Sequence, residues 1–286
     1  MHLPVLQKEV LWHLQPKPNE NFIDCTIGNG GHSSAILEKT GPRGKILGID
    51  RDPKQIENCK LKIGNLKTRA ILVCDNFACL QEIVKKNRFK PVHGILFDLG
   101  MSSWHLSESG RGFSFQKKEP LDMRYNSASQ LTAEKIVNYW SKIELEKILK
   151  EYGQEKKAGK IAQKIIEARQ VKPIKTTAQL RQIVSQARTA PQRTFQALRI
   201  AVNDELNNIK KALPQAQDVL KPGGRLVVIS FHSLEDRIVK DFFKQPGHGG
   251  GDGLKILTKK PVTPDLKEIR VNPRARSAKL RACQKV

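Results

Sequence analysis

The sequence has 286 residues, which is enough to bury a sizeable core in one large domain or two. Lysine and arginine number 51 against 28 aspartate and glutamate residues, giving a formal net charge of +23 and a pI near 9.9. This excess argues for a polyanionic partner, with nucleic acid as the leading candidate; a charge that serves solubility alone is the alternative.

Apolar runs and cysteine usage exclude two further classes of protein. The longest apolar runs, such as residues 226–231, are far too short to cross a bilayer, and the first residues do not form a signal peptide. The five cysteines contain no C-x-x-C pair, so we expect reduced, mostly buried thiols and no metal site. The sequence therefore predicts a cytoplasmic protein without a membrane partner.

The first hundred residues alternate short β-type runs with helical stretches. A leading helix is predicted over residues 2–15, where Pro16 and Pro18 end it. Strands are predicted over 21–27, 45–50, 69–74 and 93–98. This alternation indicates βαβ units and a parallel sheet covered on both faces, as in a doubly wound nucleotide-binding half.

The alternation lapses after Gly100, and from Leu131 to about Leu213 apolar residues recur at helical spacing with lysine and arginine on the opposite faces. We expect residues 107–212 to be an inserted, all-helical substrate-recognition domain. It interrupts a discontinuous domain made of residues 1–106 and 213–286. Its basic residues, including Arg193, are candidates to contact phosphate, although a solvated helix face explains any one of them more simply.

The α/β pattern then resumes near the C-terminus. We predict a turn over 221–224, a strand over 225–231, a helix capped by the Ser233 hydroxyl, a flexible loop over 246–253, and antiparallel strands over 255–258 and 277–281. The tail 272–276 forms a compact basic patch, which makes Arg274 and Arg276 candidate phosphate ligands.

Residues 24–32 carry the most informative motif. They read as a strand that ends in a glycine turn and opens a helix, with glycines at positions 28, 30 and 31. Such a turn lets the backbone approach a ligand and leaves helix N-terminal N–H groups directed at it. We therefore expect an anionic or polar ligand there; a tight structural turn is the alternative.

Two further strand ends indicate which ligand this is. Asp50 ends the second strand about 20 residues beyond the turn, where an acidic side chain accepts ribose hydroxyls. Phe77 follows the third strand and can pack on an adenine ring, or equally be plain core. The glycine spacing G-x-G-G departs from the dinucleotide fingerprint, so S-adenosylmethionine is favoured over NAD.

Asp98 lies at the end of the fourth strand, where open α/β sheets place substrate. Methyl transfer to an exocyclic amine needs an acceptor that aligns the N–H and takes its proton, and Asp98 is the best-placed carboxylate. Simple cofactor binding by Asp98 is the alternative.

In the cluster 230–237, His232 can donate to a base or phosphate and Arg237 can bind phosphate, although a capped helix start explains this cluster almost as well.

Motifs along the whole chain resemble the RsmH (MraW) family. They are Gly30-Gly31-His32, Ile49-Asp50-Arg51-Asp52-Pro53, Asp98-Leu99-Gly100-x-Ser102-Ser103, Arg111-Gly112-Phe113-Ser114-Phe115, Pro120-Leu121-Asp122-Met123-Arg124, Arg193-Thr194-Phe195-Gln196-Ala197-x-Arg199-Ile200, the stretch 230–237 and Asn272-Pro273-Arg274-Ala275-Arg276-Ser277. The family methylates N4 of a cytidine in the decoding centre of bacterial small-subunit (16S) rRNA. The resemblance implies a class I S-adenosylmethionine-dependent methyltransferase, a Rossmann-like doubly wound α/β sheet with an inserted helical domain.

The resemblance also assigns roles to individual residues. It implies that the cofactor S-adenosyl-L-methionine is held by Gly30, Gly31, His32, Asp50, Phe77 and Asp98, and also by His105, which stands where the family usually has glutamine. We assign RNA contacts to His232, Arg237, Arg193, Arg274 and Arg276. Cys25 and Asn29 replace a glycine and an arginine common in the family. The expected partner is 16S rRNA within the small subunit, with a homodimer as one option for the oligomeric state.

Two readings from other classes stay open at this point. One is a basic RNA-binding assembly factor with a vestigial methyltransferase site, which the intact glycine turn, Asp50 and Asp98 oppose. The other is methylation of a protein or small-molecule amine, which explains the basic helical insert poorly.

Overall fold

The computed structural model describes residues 4–245 and 253–286, without the side chains of residues 65 and 67. Its strands are β1 (Phe22–Asp24), β2 (Ile46–Asp50), β3 (Ala70–Cys74), β4 (Val92–Asp98), β5 (Leu220–Ser230), β6 (Leu254–Ile256) and β7 (Lys279–Lys285). They form one seven-stranded sheet in the order β3-β2-β1-β4-β5-β7-β6. The expected doubly wound α/β architecture is confirmed. Strand β1 is four residues shorter than its predicted run, β2 and β3 are each one residue shorter, and β4 is one residue longer.

The chain contacts divide the protein into two compact units. The first unit comprises Met1–Gly100 and Leu206–Val286, and the second comprises Met101–Glu205. These boundaries lie six to seven residues before those expected from the sequence, because the short helix after Gly100 and the residues before Leu213 pack differently from the predicted division.

The first unit contains the sheet and the helices that cover it. These are α1 (Gln7–Leu14), α2 (Gly31–Lys39), α3 (Pro53–Lys62), α4 (Leu80–Lys86), α12 (Ser233–Lys244) and α13 (Leu266–Val271). The second unit contains α5 (Ser103–Ser107), α6 (Ala133–Tyr139), α7 (Lys142–Glu151), α8 (Ala158–Val171), α9 (Thr177–Gln186) and α10 (Gln192–Asn203). Helix α11 (Glu205–Val219) begins at the last residue of the second unit and leads back to the sheet.

Strand order in the first unit defines where a ligand can bind. Strands β1 to β5 run parallel, and the chain winds outward from β1 through β2 and β3, then returns to β4 on the opposite side of β1. The carboxyl ends of β1 and β4 are thus the topological switch point of the sheet, where a crevice opens in folds of this kind.

Burial on both faces explains why the central strands read as continuous apolar runs. In β4, Ile95 and Phe97 pack into the core on one face, whereas Leu96 packs into the core on the other face. Successive side chains of a strand point to opposite faces, so a sheet covered on both sides needs apolar residues at every position.

Two C-terminal features differ from the sequence expectation. The segment 221–224 is part of β5, and the register shifts between the pairs Val92–Leu220 and Gly94–Arg225, so the predicted turn is an irregularity within the strand. The predicted antiparallel pair exists as β6 and β7, and β7 also pairs antiparallel with β5. Most of the loop expected over 246–253 lies outside the described residues.

The second unit has its own apolar core, built from one face of each of its longer helices. Leu145, Ile148 and Leu149 of α7 and Ile161 and Ile165 of α8 are all buried in it, at the helical spacing that the sequence displays. Helices α7 and α9 begin with capping boxes, Ser141 with Glu144 and Thr176 with Gln179, which satisfy the first free N–H groups.

Candidate active site at the carboxyl ends of β1 and β4

Hydrogen bonds tie the ends of β1 and β4 together. The Cys25 N–H donates to the Leu96 carbonyl at 2.9 Å, and two residues farther along the Asp98 N–H donates to Thr26 Oγ1 at 2.7 Å. The Thr26 hydroxyl thereby fixes the backbone of Asp98 at the sheet edge. Thr26 had no role in the sequence interpretation, although its position two residues after the end of β1 was a usable signal.

Asp24 is a buried carboxylate that hydrogen-bonds to residues on either side of the glycine turn. Asp24 accepts hydrogen bonds from the Ser33 hydroxyl at 2.7 Å and from the Thr26 N–H at 3.1 Å. Burial raises the pKa of Asp24, partly opposed by the Ser33 hydrogen bond and the nearby His32, while the charge of Asp98 raises it further. Asp24 is therefore a supporting residue of the site that sequence reasoning passed over.

The glycines of the turn are required by packing as well as by conformation. Gly30 has φ of 78°, and a Cβ there would lie 2.9 Å from Cys59 Sγ; a Cβ on Gly31 would lie 2.5 Å from Pro4 Cγ. The space that these glycines leave open is thus filled by the protein itself. Packing within the protein, the structural alternative named for this turn, therefore accounts for part of the need for glycine here.

Asp50 holds the start of the same turn. Its Oδ2 accepts the Gly28 N–H at 3.0 Å and its Oδ1 accepts the Asp52 N–H at 2.9 Å. Burial raises the pKa of Asp50 to about 7, against the lowering effect of these two hydrogen bonds. Each carboxylate oxygen keeps a second lone pair, which is the capacity that a ribose diol would use.

His32 and Asp98 face each other across the switch point. His32 is buried in the first turn of α2, and its Nε2 lies 3.6 Å from Asp98 Oδ2. Within the described chain, both ring nitrogens of His32 and Oδ1 of Asp98 are buried without a hydrogen-bond partner. Buried polar atoms are normally paired, so these atoms indicate a ligand that supplies the missing partners.

Two further side chains near the turn also have buried polar atoms that lack a hydrogen-bond partner. Asn29 Oδ1 and the whole Gln55 amide are buried without a partner among the described residues, and Gln55 Oε1 lies beside Gly28. Most of the unpartnered buried polar atoms of the described chain thus surround one glycine turn. Sequence reasoning noted Asn29 only as a replacement of an arginine common in the family, and it did not single out Gln55.

Phe77 and His232 lie at the neighbouring strand ends. The Phe77 ring is half-buried and packs edge-on against Phe97 of the core at 5.5 Å between centroids. His232 is the N-cap of α12, and its Nδ1 accepts the Glu235 N–H at 3.4 Å. The cap is therefore His232 and not Ser233 as expected, because the imidazole forms a capping box with the buried Glu235.

The exposed arginines are distributed over both units. Arg237 is exposed on α12, and Arg274 and Arg276 are exposed in a short 3-10 helix, on either side of the buried Ala275. Arg193 belongs to the second unit, where it is exposed and donates to the Gln154 carbonyl at 3.0 Å.

His105 lies in the second unit and is embedded there. It is buried at 4% exposure, its Nδ1 lies 2.9 Å from the Ser102 hydroxyl, and its ring packs against Phe113 and Tyr125 at 5.0 and 5.1 Å. Its N–H and ring close a capping box with Ser102 at the start of α5. The imidazole thus has a local structural function in addition to any contact with a cofactor.

Comparison with known proteins identifies the family. A model of the family described as "MraW methylase family" matches residues 1–286. The chain belongs to the MraW methylase family.

Relatives of similar length accompany this match. The Ribosomal RNA small subunit methyltransferase H of Heliobacterium mobile is 44% identical, with 100% of this chain and 99% of that protein covered. The protein of the same name from Halothermothrix orenii is 46% identical over 100% of this chain and 98% of its own length. A solved structure of a putative rRNA methylase from Clostridium thermocellum aligns over both entire chains with 15% identity and a TM-score of 0.46.

Membership of the MraW methylase family indicates that the reaction at the switch point is methyl transfer. A methylase must bring a methyl donor and a nucleophile together, and the glycine turn, Asp50, His32 and Asp98 all meet around the ends of β1, β2 and β4. The unpartnered atoms of Asn29 and His32 fit the polar end of a donor such as S-adenosylmethionine. Among the described helices, none is both long and apolar enough to span a membrane.

Proposed function

We propose that this protein transfers a methyl group from S-adenosyl-L-methionine to the N4 amino group of a cytidine in bacterial 16S rRNA. The observation that carries the proposal is the buried, unpartnered Oδ1 of Asp98, held at the switch point by Thr26 beside His32. The relatives named as ribosomal RNA small subunit methyltransferases and the net charge of +23 support an RNA substrate.

Asp98 is the residue that acts on the amine. The N4 lone pair of cytidine is delocalised into the ring, so an acceptor that aligns the N–H bond and takes its proton favours attack by nitrogen. The Thr26 hydroxyl fixes the Asp98 backbone, and His32 limits the positions open to its carboxylate. In this reaction S-adenosylmethionine supplies an electrophilic methyl group on a sulfonium.

The cofactor residues divide by the part of the ligand that they suit. Gly30, Gly31 and His32, with Asn29, fit the methionine end, because the N–H groups at the start of α2 favour a carboxylate. Asp50 fits the ribose diol. Phe77 fits the adenine ring, and His105 adds a contact in place of the glutamine usual in the family.

The helical second unit is the RNA-recognition domain in this proposal. Arg193 contacts RNA phosphate from that unit, and His232, Arg237, Arg274 and Arg276 do so from the first unit. The substrate is the 16S rRNA within the small ribosomal subunit, and the enzyme acts in the cytoplasm. Arginine suits this role because its fork of donors matches a phosphate group.

Methyl transfer from labelled cofactor onto small subunits that lack the modification tests the proposal. The expected result is label in one cytidine of the 16S rRNA, identified as N4-methylcytidine by mass spectrometry after nuclease mapping. Label in protein, in another base or in no product refutes it. Calorimetry with S-adenosylmethionine separates the last outcome into a vestigial site, which binds no cofactor, and an active site that lacks its true acceptor.

A further inference from the structure

A basic groove lies in the second unit, along the first turns of α9. It has a volume of about 800 Å³. Four of its lining residues are cationic, and none of its lining residues is acidic: Lys118, Lys172, Lys175 and Arg181 provide the charge. We refer to the surface that these four residues line as the basic groove.

The local fold brings these cations together from three chain segments. Pro120 forms a β-bridge with Thr176, and the Thr177 hydroxyl donates to the Lys117 carbonyl at 2.5 Å. These contacts fix the segment that carries Lys118 against the start of α9. The capping box of Thr176 and Gln179 then orders the residues that flank Lys175. The groove is thus built on ordered backbone.

The charges of the basic groove are uncompensated within the described chain. Its three lysines are exposed, and their ammonium groups take part in no ion pair or hydrogen bond among the described residues. Arg181 makes one hydrogen bond, from Nη1 to the Phe115 carbonyl at 3.3 Å. Like charges that share one concave surface repel each other and attract a polyanion that brings several negative charges at once.

The composition of the groove distinguishes a nucleic acid from a protein as its partner. Ala178 is the only apolar residue among those lining it, whereas protein interfaces have an apolar centre. Interfaces with nucleic acid are more polar and much more positive. The exposed Gln182 adds a neutral amide that can contact a phosphate or a 2′-hydroxyl group.

We propose that the basic groove binds the sugar-phosphate backbone of the RNA substrate. This inference rests on the proposed function and assigns the RNA contact of the second unit to a specific surface. Binding of this kind is independent of base sequence and contributes affinity and orientation.

The test compares two double variants with the same change in charge. Lys172→Glu with Lys175→Glu alters the basic groove. Lys147→Glu with Lys150→Glu alters exposed lysines of α7, a helix that also carries glutamates at 144, 146 and 151. Both double variants should retain the thermal unfolding midpoint and the affinity for S-adenosylmethionine of the parent protein, which shows that they fold.

The readouts are the affinity for a 16S rRNA fragment and its dependence on salt, together with the kinetics of methyl transfer. The groove variant should bind at least tenfold more weakly, with the slope of log K against log salt reduced by about 1.5, since each of the two lost phosphate contacts contributes roughly 0.7 to 0.9. Its KM for RNA should rise while kcat is retained. The α7 variant should stay within about threefold of the parent.

Three outcomes overturn the inference. Equal losses in the two variants would mean that the overall positive field binds RNA and that the groove has no special part. Unchanged RNA affinity in the groove variant would assign the groove to another partner, such as an acidic protein. A fall in kcat without a change in KM would place these lysines in catalysis. Failure of the proposed function is distinguishable, because the parent protein itself would then form no N4-methylcytidine.

Discussion

The raised pKa of Asp50 predicts that affinity for S-adenosylmethionine depends on pH. Asp50 is half-buried, and burial raises its pKa from 3.8 to about 7 despite the hydrogen bonds from Gly28 and Asp52. A ribose diol donates two hydrogen bonds, and only the ionised carboxylate accepts both. Cofactor binding should therefore require loss of the Asp50 proton, so that affinity falls as the pH drops below 7.

The magnitude follows from the fraction of protein in which Asp50 is ionised. With a pKa of about 7, about one tenth of the free protein is ionised at pH 6 and about nine tenths at pH 8, so the dissociation constant should rise about tenfold between pH 8 and pH 6. In the cofactor-free protein, the raised pKa of Asp50 makes the folded state bind its proton more tightly than the unfolded state does. The contribution of Asp50 to the free energy of unfolding is therefore fully present below pH 3.8 and is lost as the pH rises through about 7.

Isothermal titration calorimetry at half-unit steps from pH 6 to pH 8 measures this effect. Asp50→Asn should weaken binding at pH 8 and remove most of the pH dependence, because the amide cannot ionise. Glu57→Gln, which removes the same charge from an exposed site on α3, should behave like the parent protein. An unchanged tenfold slope in Asp50→Asn would assign the titration to another group and refute the reasoning.

Three further predictions concern catalysis and stability. Asp98→Asn should lower the rate of methyl transfer by about 10²- to 10⁴-fold with little change in RNA affinity, measured by single-turnover kinetics and filter binding; a matching loss of affinity would make Asp98 structural. Gly30→Ala should lower the free energy of unfolding by about 2 to 4 kcal/mol in urea titrations, because it adds a collision to a left-handed φ. Gly64 has φ of 54° and open space around a new methyl group, so Gly64→Ala should lower the free energy of unfolding only by the cost of the left-handed φ, about 1 kcal/mol. Equal losses in the two variants would show that the collision at Gly30 contributes nothing. Burial raises the pKa of Asp236, but the hydrogen bond and charge of Arg281 at 2.6 Å outweigh it and lower the pKa overall. Asp236→Asn should therefore cost about 2 kcal/mol near pH 7 and nothing once the pH has fallen through that lowered pKa, as followed by thermal unfolding across pH, and a constant loss would refute the pairing.

The order of strands and helices was largely predictable, because a strand that is buried on both faces of the sheet appears in the sequence as a continuous apolar run. The middle of a central strand such as β4, at residues 95–97, must be apolar at every position, and the irregular segment 221–224 interrupts β5 without ending it. That segment contains proline and two glycines, which usually break a strand. Strand β5 nevertheless continues across it, because Leu220 and Arg225 on either side each pair with β4, a long-range contact that local residue chemistry does not reveal.

Side-chain partners within the site were less predictable than the positions of the site residues. The sequence located the ends of β2 and β4 and placed the end of β1 three residues too late, and these strands are neighbours in the sheet. It did not reveal that Thr26 holds the Asp98 backbone, since the two residues lie 72 positions apart and meet only through strand pairing. The cap of α12 was assigned to Ser233 because serine is the more common cap, whereas the buried Glu235 favours the imidazole of His232.

The glycine turn shows why residue type alone leaves two roles unresolved. A glycine is needed both where a ligand approaches the backbone and where another part of the protein does. At Gly30 the neighbour is Cys59 of α3, and at Gly31 it is Pro4, so the turn is packed by the protein before any ligand binds. A turn fixed in this way loses little conformational entropy on binding, which favours a preorganised site over one that closes around its cofactor. The N–H groups at the start of α2 and the ring of His32 are then held in place for the ligand by packing on the opposite side of the same turn.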